Sequence, residues 1–85
     1  MQTFKYVIRD ELGIHARPAG LLVKEAKNFN STISLEANGK KAVAKGLMGV
    51  MGMAIKQGDE VTIIVEGDDE VEAVAAIKNF FENNL

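Results

Sequence analysis

The spacing of hydrophobic and polar positions changes period several times along this chain. Thr3-Phe4-Lys5-Tyr6-Val7-Ile8 alternates, with Phe4, Tyr6 and Ile8 on one side, which predicts a half-buried strand. A polar break follows at Asp10-Glu11-Leu12-Gly13. From Ala16 the period lengthens: Ala19, Leu22, Val23 and Ala26 stand at i, i+3, i+4 and i+7, one face of a helix running to about Lys27. Pro18 fits only in the first turn of that helix, where backbone N–H groups have no intrahelical acceptor. His15 therefore stands at the helix lip. Thr32 to Glu36 alternates again, with Ile33 and Leu35 inward, and Asn38-Gly39 is a strong two-residue hairpin signal. A return strand is expected near Lys40 to Ala44. Gly46 to Met53 is apolar and glycine-rich and reads as a short helix, although interior glycine opposes helix formation. Gln57-Gly58-Asp59 is a turn, Glu60 to Glu66 the clearest strand, and Gly67-Asp68 the next turn. Asp69 with Glu72 three residues on reads as a capping box. The last helix turns Val74, Ile77 and Phe81 inward and is expected to fray at Asn83-Asn84.

The element order is βαββαβα. A hairpin joins the middle strands, so the sheet is not all parallel, and helices layered over one face of an antiparallel sheet are the economical arrangement. The reading is an α+β, two-layer fold occupying residues 1–85 as one domain. With 47% hydrophobic residues the chain is globular, and with no cysteine it has neither a disulfide framework nor a zinc–thiolate site. Met1-Gln2-Thr3-Phe4-Lys5 lacks a signal-peptide pattern, and no apolar run is long enough to span a membrane. A soluble, cytoplasmic protein without membrane insertion is expected. Charge is uneven: residues 1–57 hold nine Lys or Arg against four Asp or Glu, and residues 58–85 one against eight. Two readings stand, differently solvated faces or a mildly positive face for acidic partners or phosphate. No basic stripe with interleaved aromatics points to nucleic acid.

Reactive groups converge only at Gly13-Ile14-His15-Ala16-Arg17-Pro18-Ala19. His15 is the single histidine, placed at a helix start among free N–H groups and at the positive end of the helix dipole. That position disfavours the imidazolium, and a neutral ring nitrogen is a nucleophile. The same N–H groups suit phosphoryl oxygens, and the Arg17 guanidinium suits bidentate phosphate binding. Spacing alone leaves His15 open as a plain polar helix-start residue and Arg17 as a solvated charge. A metal role lacks a second His or Cys. By pattern alone Leu47, Met48 and Met51 read as core.

At this motif, and along essentially the whole chain, the sequence resembles the histidine-containing phosphocarrier (HPr) family of the bacterial phosphoenolpyruvate:sugar phosphotransferase system. Gly-Ile-His-Ala-Arg-Pro-Ala at 13–19 is similar to the family's active-site signature. Asn38-Gly39-Lys40-Lys41-Ala42, Ala44-Lys45, Met48-Gly49-Val50-Met51 and Gln57-Gly58-Asp59-Glu60-Val61 also match. The resemblance implies an open-faced β-sandwich with strand order 1-4-2-3. It implies that phosphorylated enzyme I, which needs magnesium for its own phosphorylation, donates to Nδ1 of His15. His15 then passes the phosphoryl group to A-type domains of sugar permease components. It further implies Arg17 as the transfer-assisting residue, the Ala16 and Arg17 N–H groups as the phosphate cradle, and Leu47, Met48, Met51 and Gly20 as the partner-binding set, with Val50 in the core. A monomer without cofactor or metal, a relay and not an independent enzyme, is expected. Many Gram-positive members carry at position 46 a serine that a kinase/phosphorylase modifies as a metabolic brake. Here that position is Gly46, so the brake is expected to be absent. Other departures are Gly20 where alanine is usual, Gly52-Met53-Ala54 where Ser-Leu-Gly is frequent, and Leu12 in a position often polar. The alternative is a regulatory member that docks on enzymes or transcription factors.

Overall fold

Each change of period becomes an element boundary in the computed structural model, which describes residues 1–85. The elements are β1 (Gln2–Val7), α1 (Ala16–Ala26), β2 (Thr32–Ala37), β3 (Lys40–Val43), α2 (Leu47–Gly52), β4 (Glu60–Glu66) and α3 (Glu70–Asn84). The four strands form one sheet in the order β1-β4-β2-β3, every neighbouring pair antiparallel. The order is the one the family resemblance implies. β4 pairs on both sides and buries Val61, Ile63 and Val65 on its inner face, while Thr62 and Ile64 on the other face are half-buried. Phe4 lies opposite Ile63, Tyr6 opposite Val61, Ile33 opposite Val65, and Leu35 opposite both Ile63 and Ala42. These residues make one inner face, and the three helices pack on that side to close a single cluster of 21 buried apolar residues. The Phe81 ring lies edge-on to Phe4 at 6.1 Å and to Tyr6 at 5.5 Å, joining α3 to β1.

The hairpin turn has Asn38 at φ 54° and Gly39 at φ 75°, the doubly left-handed geometry that lets a two-residue loop follow the strand twist. α1 buries Pro18, Ala19, Leu22 and Ala26, and leaves Val23 half-buried. α3 buries Ala73, Ile77, Phe80 and Phe81, and the half-buried Val74 packs against the same core, so Ala73 and Phe80 widen the inward face that Val74, Ile77 and Phe81 mark in the sequence.

Two local expectations differ. Asp69 is at the N-cap of α3 but its side chain caps nothing. Its carboxylate instead accepts the N–H groups of Asn30 (2.8 Å) and Ser31 (2.9 Å) and the Ser31 hydroxyl. The cause is close apposition of two turns: a Cβ on Gly67 would stand 2.6 Å from Ser31 Cα, so the donors of the α1–β2 turn lie against Asp69 and take its carboxylate. These bonds, first from the Ser31 hydroxyl and then from Asn30 N–H, hold the Asp69 carboxyl below the usual carboxylate range. The second difference is at the other end of α3, which does not fray. The helix runs through Asn84, and Leu85 is buried, its backbone oxygen accepting the N–H groups of Arg9 at 2.6 Å and Asp10 at 3.0 Å. Arg9 locks this end, donating from Nη2 to the Glu82 carbonyl at 2.8 Å and from Nε to the Tyr6 hydroxyl at 3.0 Å. A cation among the last carbonyls of a helix is favourable on dipole grounds as well.

Candidate functional site

The β1–α1 loop brings His15 to the surface, and glycine makes its path possible. Gly13 has φ +66°, a conformation L side chains rarely adopt. A Cβ there would also overlap the Ile55 carbonyl oxygen and stand 2.7 Å from Lys56 Cα. The next N–H, of Ile14, donates to that Ile55 carbonyl at 3.1 Å. The loop thus lies directly on the segment after α2. That segment is held in turn by Asp59, whose carboxylate accepts Lys56 N–H at 2.8 Å and the Asn38 amide at 2.9 Å. The Asn38 bond first and the Lys56 N–H second keep the Asp59 carboxyl below its ordinary range. Asp10 closes the loop on its other side by accepting Leu12 N–H at 2.8 Å.

His15 is the N-cap of α1, with extended backbone (φ −107°, ψ −174°). Its carbonyl accepts the first helical hydrogen bond, from Ala19 at 3.0 Å. Ala16, Arg17 and Pro18 make up the rest of the first turn. Proline has no N–H, while those of Ala16 and Arg17 find no acceptor in the helix and none elsewhere in the protein. No side chain caps them and the first turn holds no acidic residue, so two N–H groups remain directed outward beside the imidazole. The Arg17 guanidinium is exposed and makes no ion pair. A hollow of about 300 Å³ opens over these groups, lined by Asp10, His15, Arg17, Pro18, Leu21 and Asn84. His15 and Arg17 thus share one open space with the Asp10 carboxylate and the Asn84 amide, and the unused N–H groups of the first turn lie at the same end of α1.

α2 packs against α1 and carries the apolar residues singled out from the sequence. Val50 is buried, while Leu47 and Met51 are each 41% exposed and Met48 is 84% exposed. The core reading that pattern alone suggested for those three is therefore replaced by a surface patch. Gly20 is half-buried on α1, with open space where a Cβ would project. Gly46 is the exposed N-cap of α2, and a Cβ there would meet only the Val43 carbonyl at 3.6 Å.

Sequence reasoning did not single out Asp10, Leu21 or Asn84 as site residues. Leu21 carried a signal, being an apolar residue off the inward face of α1. Asn84 carried none, because it reaches the hollow from the far end of the chain through the packing of α3 on α1.

The sequence model that describes the PTS HPr component phosphorylation site matches residues 2–83. This chain belongs to the HPr family. HPr proteins are phosphocarriers of the phosphoenolpyruvate:sugar phosphotransferase system. The phosphocarrier protein HPr of Mycoplasma capricolum is 49% identical over 78 residues, spanning 92% of this chain and 88% of that protein. The solved structure of a mycoplasma histidine-containing phosphocarrier protein superposes with a TM-score of 0.94 at 45% identity, covering 96% of this chain and 93% of the other. The Bacillus subtilis catabolite repression protein Crh, a domain-swapped dimer, superposes with a TM-score of 0.78 at 41% identity, covering 100% and 98%. The HPr assignment accounts for the open-faced sheet, the 1-4-2-3 order and the three helices together.

Proposed function

We propose that this chain works as a single phosphocarrier domain, residues 1–85, that receives a phosphoryl group from phosphorylated enzyme I on Nδ1 of His15. It then gives the group to A-type domains of sugar permease components. The neutral ring nitrogen of His15 attacks phosphorus. The new N–P bond forms as the bond to the donor's leaving nitrogen breaks, and the reverse displacement passes the group on. Arg17 and the N–H groups of Ala16 and Arg17 hold the equatorial oxygens, where charge is spread in such transfers. Leu47, Met48, Met51 and Gly20 form the docking face. The carrier needs no cofactor of its own and acts as a cytoplasmic monomer. It is a covalent relay whose turnover requires two partners.

The observation that carries this reading is the pair of unused N–H groups beside the imidazole and guanidinium, in a chain of the HPr family. Gly46 offers no hydroxyl, so a kinase acting at that position finds no acceptor and carrier activity is free of that brake.

Likeness to Crh supports a second reading, a regulatory member that docks without feeding sugar transport. A nucleophile is superfluous in such a role. Intact mass after incubation with enzyme I, magnesium and phosphoenolpyruvate separates the two. The carrier reading expects one acid-labile phosphate on the wild type and none on His15→Ala. An unlabelled wild type, beside a labelled control carrier in the same tube, refutes it in favour of the regulatory one.

A further inference from the structure

Three of the four methionines lie in or just after α2, and the fold gives them very different access to solvent. Met53 is 2% exposed inside the core, Met51 is 41% exposed, and Met48 is 84% exposed. Met48 has little shelter on its own helix, because Gly46, Gly49 and Gly52 are exposed and carry no side chains. No cysteine elsewhere in the chain competes for an oxidant. A thioether sulfur thus stands open to solvent on the patch beside the His15 helix.

We propose that Met48, with Met51 second, is an oxidation site through which peroxides weaken docking at the His15 face. This rests on the phosphocarrier reading. The sulfur attacks one peroxide oxygen; the S–O bond forms as the O–O bond breaks. The thioether is oxidised by two electrons to the sulfoxide, and hydrogen peroxide is reduced to water. The product places a polar, hydrogen-bond-accepting oxygen on a surface that a partner covers with apolar groups. Leaving such an acceptor buried without a donor weakens association about tenfold. The lesion is reversible, since sulfoxide reductases restore the thioether. His15, Arg17 and the free N–H groups keep their places, so the defect lies in partner recognition and not in the chemical step.

The test oxidises the full chain with hydrogen peroxide, removes the excess with catalase, and maps each methionine by peptide mass spectrometry. Phosphorylation by enzyme I and phosphoenolpyruvate is then followed as a function of carrier concentration. Met48 is expected to oxidise ahead of Met51, with Met53 last. KM for the carrier is expected to rise about tenfold while kcat is kept, and sulfoxide reductase should restore it. In Met48→Leu/Met51→Leu the ratio of treated to untreated KM is expected to stay at one. Met53 reacting as fast as Met48, or a Met48 sulfoxide form with unchanged KM, overturns the proposal. An untreated protein that takes no phosphate refutes the carrier reading, and the switch with it; the order of oxidation is still decided by the peptide map.

Discussion

Ala54 ends α2 in a backbone conformation that costs it free energy, and replacing it with glycine should make the protein more stable. Its φ is +52°, left-handed, and it is exposed, with its N–H donating to the Met51 carbonyl at 3.2 Å. The left-handed region costs a residue with a Cβ about 1–2 kcal/mol, which glycine does not bear. Glycine also gives the unfolded chain more freedom, which offsets about 0.4–1 kcal/mol of the gain. The exposed methyl contributes little burial, so these two effects decide the sign. The expected net gain for Ala54→Gly is about 0.5–1 kcal/mol, or roughly 3–6 °C in Tm for a domain of this size. The assay is urea unfolding of wild type and variant, followed by circular dichroism. The midpoint should rise with the m-value unchanged, because the surface exposed on unfolding is the same. An equal or lower midpoint at constant m would refute the assignment of strain to this residue. The position bears on function, since the next residue, Ile55, supplies the carbonyl on which the His15 loop rests.

Gly13→Ala should act in the opposite direction, losing about 2–4 kcal/mol from left-handed strain plus overlap with the Ile55–Lys56 backbone, again read by urea midpoint. Because that loop delivers His15, phosphate uptake by the folded fraction should fall as well. Asp59 has its folded-state pKa lowered by Asn38 and Lys56. Its contribution is therefore full above the ordinary carboxylate range near pH 4, and is lost as pH falls through the lower folded value. Asp59→Asn should be less stable than wild type at pH 7, with the gap narrowing at pH 3; an equal gap at both pH values would count against the bonds described. Gly46→Ser should gain a few tenths of a kcal/mol as a better N-cap, and should become an acceptor for an ATP-dependent carrier kinase that leaves the wild type unlabelled by mass. Labelling of the wild type would sink the claim that the brake is missing.

Contiguous residues were enough to read most of the elements. Side-chain periodicity over six or more positions distinguishes strand from helix, and so β4 and α1 were legible. Pro18 placed the start of α1 to within a residue, because a residue without an N–H is tolerated only where no acceptor waits. The Asn38-Gly39 turn was legible because its left-handed geometry admits few residue types. The helix start with its free N–H groups marked His15 and Arg17 as candidates, and the resemblance of Gly13 to Ala19 to the HPr signature, rather than spacing, gave them their expected roles. Other features depend on groups distant in sequence. Asp69 read as a helix cap, yet it bonds Asn30 and Ser31, 39 and 38 residues away, because the pressing together of two turns offers it better donors than its own helix. The fraying expected at Asn84 fails because Arg9, 73 residues from Glu82, takes up one of the last carbonyls. The hollow over His15 needs Asp10 and Asn84 together. The exposure that makes Leu47, Met48 and Met51 a patch and Met53 a core residue belongs to the docking of α2. A local pattern fixes which face of an element is apolar, but the partner that covers that face, or leaves it open, is set only when the whole chain has packed.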